Sequence, residues 1–211
     1  MQQTERRTNR DRSDRTQAAL VAAARGLFVE RGYAETGTPE LVAAAGVTRG
    51  ALYHHFADKQ ALFRAVVEAE AAAVAGEIEQ AAPADLPPLE ALTQGGDAFL
   101  RAMAAPGRTR LLLVEAPAVL GREALDEIDA RHGGRTLREG LAAAMAAGAL
   151  RPLPLDAAAQ LLGAAYDRAA LAIVGGTDPA ECRAVLAALI EGLRPPPSAP
   201  GATGPGRRSR S

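Results

Sequence analysis

Thr48, Arg49, Tyr53, His54 and His55 fall together in the stretch Gly46-Val47-Thr48-Arg49-Gly50-Ala51-Leu52-Tyr53-His54-His55-Phe56-Ala57-Asp58-Lys59, and their types and spacing suit contact with DNA. Arg49 can bridge guanine O6 and N7 with two parallel N–H groups. Thr48, Tyr53, His54 and His55 can reach phosphate oxygens. Leu52 and Phe56 are four apart and share one face of a helix, while Gly50 and His54 point away from them with Ala51 and Tyr53 at the flanks. An outer face without a large apolar group lets the helix approach a nucleic acid closely. Lys59 adds a cation beside a helix start capped by Asp58, and a helix start is itself a phosphate-binding element. It is the only lysine among 24 basic residues.

Other chemistry is poorly served by this chain. His54 and His55 diverge by about 100° on a helix and so do not converge on one metal ion. No Ser/His/Asp spacing, metal-ligand cluster or phosphate loop is present, and two of only three histidines lie in this stretch. The expectation is a chain that is not an enzyme, with no catalytic residue, no metal and no cofactor.

Several elements must hold that helix in place. Thr38-Pro39-Glu40 reads as a helix start with a hydroxyl N-cap from Thr38 and proline at the first helical position. Leu41, Ala44 and Ala45 are expected to face inward, and Gly46 supplies the positive φ of the turn that follows. Leu20, Ala24, Leu27 and Phe28 mark the inner face of a first helix. Asp58 opens a connecting helix to about residue 82, with Leu62, Val66, Val67, Val74 and Ile78 inside. Residues 83–88 break the chain, and further helices are expected over 89–104, 107–119, 121–148, 156–175 and 178–193.

Residues 14–67, with Asp14-Arg15-Thr16, Gly26-Leu27-Phe28-Val29-Glu30-Arg31-Gly32-Tyr33, Thr36, Gly46-Val47-Thr48, Leu52-Tyr53-His54-His55-Phe56 and Lys59, resemble the DNA-binding domain of the tetracycline-repressor (TetR) family of transcriptional regulators. The resemblance runs through that domain without a gap. It implies an all-α protein: an N-terminal three-helix helix-turn-helix DNA-binding domain, then a helical ligand-binding and dimerisation domain. It also implies a homodimer whose recognition helices, here about residues 48–55, enter successive major grooves of double-stranded palindromic operator DNA. The family's contact positions fall on Thr38, Thr48, Arg49, Gly50, Ala51, Tyr53, His54, His55 and Lys59. Two positions depart from the pattern: Gly37 replaces a common serine or threonine, and Ala51 carries no hydrogen-bonding group, which shifts base reading toward Arg49 or a thymine methyl.

Charge divides the chain unevenly. Residues 1–67 carry net +3, residues 68–194 net -7, and residues 195–211 net +3. An acidic body repels DNA, so binding is expected at the basic end. The expected organisation is a disordered basic arm over 1–12, a DNA-binding domain over 13–67, an effector-binding and dimerisation domain over 68–194, and a disordered Pro/Gly/Ser-rich tail over 195–211. One cysteine, Cys182, excludes a disulfide within the chain. Neither a signal peptide nor a membrane span is visible, which fits a cytoplasmic protein.

The last two helices present long apolar faces, Leu161, Leu162, Ala165, Ala169 and Ile173 on one, and Val185, Leu186, Leu189, Ile190 and Leu193 on the other. That much apolar surface suggests a partner subunit; the resemblance places a four-helix homodimer interface there. Phe99, Met103, Leu112, Leu113, Met145 and Tyr166 are candidate lining for a small apolar or amphipathic effector, with Glu115 and Arg168 as polar anchors, although the same residues also suit core filling. The expected function is a ligand-responsive transcriptional repressor released from its operator by a small molecule. The alternative is an activator, or a regulator without such an effector.

Overall fold

The computed structural model describes residues 2–83 and 85–196, with side chains described from residue 12 onward. Helices account for the ordered backbone in the order α1 (Gln2–Arg31), α2 (Thr38–Ala45), α3 (Arg49–His55), α4 (Lys59–Ala81), α5 (Pro88–Met103), α6 (Arg108–Arg110), a π turn (Leu111–Glu115), α7 (Ala116–Leu120), α8 (Arg122–Arg131), α9 (Gly133–Ala146), α10 (Leu155–Val174) and α11 (Pro179–Glu191). No strand occurs among the described residues. The arm expected over residues 1–12 is helical from Gln2, because neither proline nor glycine interrupts the polar stretch leading into α1. Met1, and the expected tail from residue 197 onward, lie outside the described residues.

Two apolar clusters form. Leu20, Ala24, Phe28, Leu41, Leu52, Phe56, Leu62, Phe63, Val66 and Val67 pack with Leu111, Ala116 and Ile128, so the segment after α5 closes over the N-terminal helices. Phe63 meets Phe28 edge-on at 5.1 Å and Tyr33 at 4.9 Å between ring centroids. The second cluster joins Val74 of α4 to Leu92, Leu100 and Met103 of α5, Leu141 and Ala144 of α9, Leu162, Tyr166 and Ala169 of α10, and Leu186 and Ile190 of α11. Helix α4 therefore runs through both clusters, and the boundary expected at residue 67 falls inside a continuous helix.

Charged side chains stitch the two parts. Glu70 of α4 accepts from Arg25 of α1 at 2.7 Å and from Arg108 at 2.8 Å, while Arg108 also donates to Glu77 at 2.9 Å and to the Ala102 carbonyl at 2.7 Å. Burial pushes the Glu70 carboxyl up, but the two guanidiniums outweigh it and hold it below the usual carboxylate range. Glu70 thereby ties α1 and α6 to the middle of α4.

Three local expectations need correction. The single helix expected over 121–148 is two, α8 and α9, broken at His132 (φ -124, ψ -105). Gly133 and Gly134 weaken the helix there, Asp129 Oδ1 accepts from Gly134 N at 2.9 Å, and Glu68 of α4 takes both Arg131 and His132. Ala44 is exposed, and Val42 packs against the core beside Leu41 and Ala45. The Thr38 cap is not formed: Gly37 is the N-cap of α2, and Glu40 Oε2 accepts from Gly37 N at 2.9 Å.

The π turn has a visible cause and consequence. Ala116 N–H donates to the Leu111 carbonyl, five residues back, immediately before Pro117, which has no N–H to continue the α pattern. Leu111 and Ala116 are both buried in the same cluster. In an α-helix residues five apart point about 140° from each other, so only the wider turn brings them to one face.

Candidate nucleic-acid interface

Helix α3 is short and is fixed from beneath. Leu52 and Phe56 are buried in the N-terminal cluster. Gly46, at φ 65, ends α2, and its N–H returns to the Ala43 carbonyl. Thr48 caps α3, its Oγ1 accepting from Ala51 N at 3.2 Å. Its O–H remains able to donate outward. Asp58 likewise caps α4 by accepting from Ala61 N at 2.7 Å.

The outer face of α3 carries the expected groups. Thr48, Arg49, Gly50, Tyr53 and His54 are exposed, and Ala51 and His55 are partly so. A Cβ at Gly50 would meet only Thr48 Oγ1, at 3.9 Å, so packing does not demand the glycine; its smallness serves approach from outside. Arg49 lies 5.5 Å from the centroid of the Tyr53 ring, a cation–π distance. Tyr53 is 43% exposed. The Thr38 hydroxyl, then Arg49, hold the Tyr53 hydroxyl below the usual phenol range. Thr38, spared from capping, thus stands beside Tyr53. Together these side chains present donors and a guanidinium on one surface, the requirement for base and phosphate contact.

Lys59, expected at a phosphate, also bonds within the chain. Its Nζ donates to the carbonyls of Tyr33 at 2.9 Å and Thr36 at 3.1 Å, and lies 4.1 Å from the Tyr33 ring centroid. The ammonium therefore ties α4 to the loop between α1 and α2. Sequence spacing gives no sign of the bond to Tyr33, which spans 26 residues.

The candidate effector residues divide. Met103 and Tyr166 are buried, Phe99 meets Tyr166 edge-on at 5.8 Å, and Leu112, Leu113 and Met145 pack against the same cluster. A Cβ on Gly96 would fall 2.0 Å from the Tyr166 hydroxyl, so the ring rests directly on the backbone of α5. Burial, then Asp97, push the Tyr166 hydroxyl up to about 12. Glu115 is elsewhere: its Oε2 accepts from Tyr33 N at 3.0 Å and its Oε1 meets Arg110 at 2.6 Å. Arg168 is exposed. Glu115 thus belongs to the junction between the two parts of the molecule.

The expected dimer faces are also split. Leu162, Ala169, Leu186 and Ile190 are buried within the chain, whereas Leu161 is 74%, Val185 61% and Leu189 47% exposed. Ala165, Ile173 and Leu193 are intermediate. Leu161, Leu189 and Leu193 line one apolar groove with Leu153 and Ala157.

Residues 20–66 match the family described as bacterial regulatory proteins, tetR family, and residues 89–193 match the tetracyclin repressor-like C-terminal domain. A TetR-family transcriptional regulator from Pectobacterium atrosepticum superposes with a TM-score of 0.70 at 33% identity, covering 88% of this chain and 97% of that one. Among curated relatives, the HTH-type transcriptional regulator CymR of Pseudomonas putida is 46% identical over 63 residues, 30% of this chain and 31% of CymR. The HTH-type transcriptional activator FasR of Mycolicibacterium smegmatis is 41% identical over 63 residues, 30% of this chain and 29% of FasR. The chain thus spans under a third of the length of these two curated relatives.

Proposed function

The chain belongs to the tetR family of transcriptional regulators, and we propose that it is a repressor that binds palindromic operator DNA as a homodimer and is released by a small molecule. The carrying observation is the face of α3: Leu52 and Phe56 are buried, while Thr48, Arg49, Gly50, Tyr53 and His54 stand outside. Arg49 reads a guanine, and Thr48, Thr38, Tyr53, His54 and His55 position the helix on phosphates, with Gly50 and Ala51 allowing close approach. Lys59 acts from behind, by holding the loop on which Tyr33 and Thr36 lie.

Dimerisation is supported by the apolar side chains that α10 and α11 leave outside, Leu161, Val185 and Leu189 among them. A second copy covering them joins two recognition helices, each of which alone reads only a few base pairs. The effector is an apolar or amphipathic molecule taken up among α5, α6, the π turn, α9 and α10. Such a ligand releases DNA by favouring a body state in which the recognition helices are no longer one DNA turn apart.

A second reading, a regulator without a small-molecule effector, draws support from the packing of Met103 and Tyr166 and the Phe99–Tyr166 contact, which fill the space such a ligand would use. A gel shift with DNA flanking the gene, repeated with candidate ligands, tests both. Retarded DNA that a ligand frees supports the first reading. Retarded DNA that no ligand frees supports the second, and no retardation overturns both.

A further inference from the structure

The loop between α1 and α2 is gripped at Tyr33 from two sides. Glu115, from the body, accepts from Tyr33 N at 3.0 Å. Lys59, at the start of α4, donates to Tyr33 O at 2.9 Å and to Thr36 O at 3.1 Å. Between Lys59 and the recognition helix there are only Phe56, Ala57 and Asp58, and Phe56 is buried against the same cluster as Leu52. The body thus reaches α3 through Tyr33 and Lys59.

Close packing fixes the body side of this grip. Gly32, at φ 85, leaves room that a Cβ would lose, since a Cβ there would fall 2.6 Å from Arg110 Nη2 and 3.0 Å from Glu115 Oε1. A Cβ at Gly107, at φ 75, would fall 2.4 Å from Val29 Cγ1. The end of α1 and the segment around α6 therefore touch at two points. Glu115 is the last residue of the π turn. Removing the extra residue of that turn rotates its C-terminal end by about 100°, enough to withdraw the carboxylate from Tyr33.

We propose that Glu115 is a positioning residue for operator binding: it holds the Tyr33 backbone, and through Lys59 the α3–α4 junction, in the arrangement that engages DNA. Body states that keep the π turn keep this grip, and states that shift it release α3. The inference rests on the operator-binding reading above. Reciprocity is required, because a contact that strengthens DNA binding is itself strengthened by DNA.

The test uses the full chain and a duplex that it selects from a random pool. Affinity for that duplex is measured for the parent, Glu115→Ala, Glu115→Gln and Arg49→Ala, and amide exchange at Tyr33 is followed with and without the duplex. Glu115→Ala is expected to weaken binding about 5- to 150-fold, the usual range of coupling between sites. Glu115→Gln, whose amide oxygen still accepts from Tyr33 N, is expected to recover most of that loss. Exchange at Tyr33 in the parent is expected to slow when the duplex is added. Loss with Arg49→Ala but none with Glu115→Ala overturns the proposal and leaves the operator reading standing. No loss with either overturns the reading beneath it. Should Glu115→Ala fail to fold, exchange at Tyr33 in the parent and Glu115→Gln decides: equal exchange with and without duplex overturns the proposal.

Discussion

Glu70 Oε2 accepts from Arg108 Nε at 2.8 Å, with each side chain 10% exposed, and this pair joins α4 to the start of α6 at the meeting of the two apolar clusters. Arg25 completes it from α1. Removing one partner of a buried pair strands the other charge, so Glu70→Gln is expected to cost about 3 kcal/mol in urea unfolding at neutral pH. Because the folded carboxyl lies below its ordinary 4.5, its contribution is complete above that value and is lost as pH falls through the lowered folded value. The parent should therefore lose more stability than Glu70→Gln on acidification. Equal losses would assign the acid sensitivity to other groups.

Asp167 of α10 titrates in the opposite sense. Burial, then Asp129, push its carboxyl up from 3.8 to about 6, against the pull of Arg122. A raised folded value favours folding fully below 3.8, and that favour is lost as pH rises through about 6. Asp167→Asn is thus expected to raise stability at alkaline pH by about 1–3 kcal/mol, and far less in acid. Thermal melting across that range checks it; a pH-independent gain would point to packing instead.

Lys59→Ala is expected to weaken DNA binding without changing its salt dependence. The ammonium is bonded to two carbonyls of the α1–α2 loop, and losing those charge-assisted bonds should also cost about 1–3 kcal/mol of stability. Log affinity against log salt is the measurement. A slope flattened by about 0.9 would place Lys59 on a phosphate after all.

What could be read in the sequence was local. Leu52 and Phe56 declare the buried side of α3 by a spacing of four, and Gly46 its entry turn, so the candidate interface is legible without any distant contact. Thr38 misled because a hydroxyl before proline is an ordinary cap, whereas Glu40 reaches back to Gly37 N instead. The break at His132 was hidden because Gly133 and Gly134 sit inside an amphipathic pattern, and its anchor, Glu68, is 64 residues away. Glu115 was out of reach for a similar reason. Its partner Tyr33 is 82 residues earlier, and the π turn that aims it shifts the helical phase on which periodicity depends.

Leu161 tests dimerisation. It is 74% exposed, so Leu161→Glu should leave the folding of one chain within about 0.5 kcal/mol of the parent. Buried between two copies, the same carboxylate is expected to drive them apart. Sedimentation should show a dimer for the parent and a monomer for the variant, with operator affinity falling in step. An unchanged mass would move the interface away from α10 and α11.

The most direct measurement is selection of duplexes from a random pool by the full chain, read alongside Arg49→Ala. The account predicts enriched palindromes whose half-sites are centred one helical turn apart, about 34 Å, with a guanine in each half-site. Arg49→Ala should lose about 1–3 kcal/mol on those duplexes and relax the preference at that guanine. A pool that yields no enriched sequence, or a variant that selects the same sequences as tightly as the parent, would contradict the assignment of α3 as the surface that reads DNA.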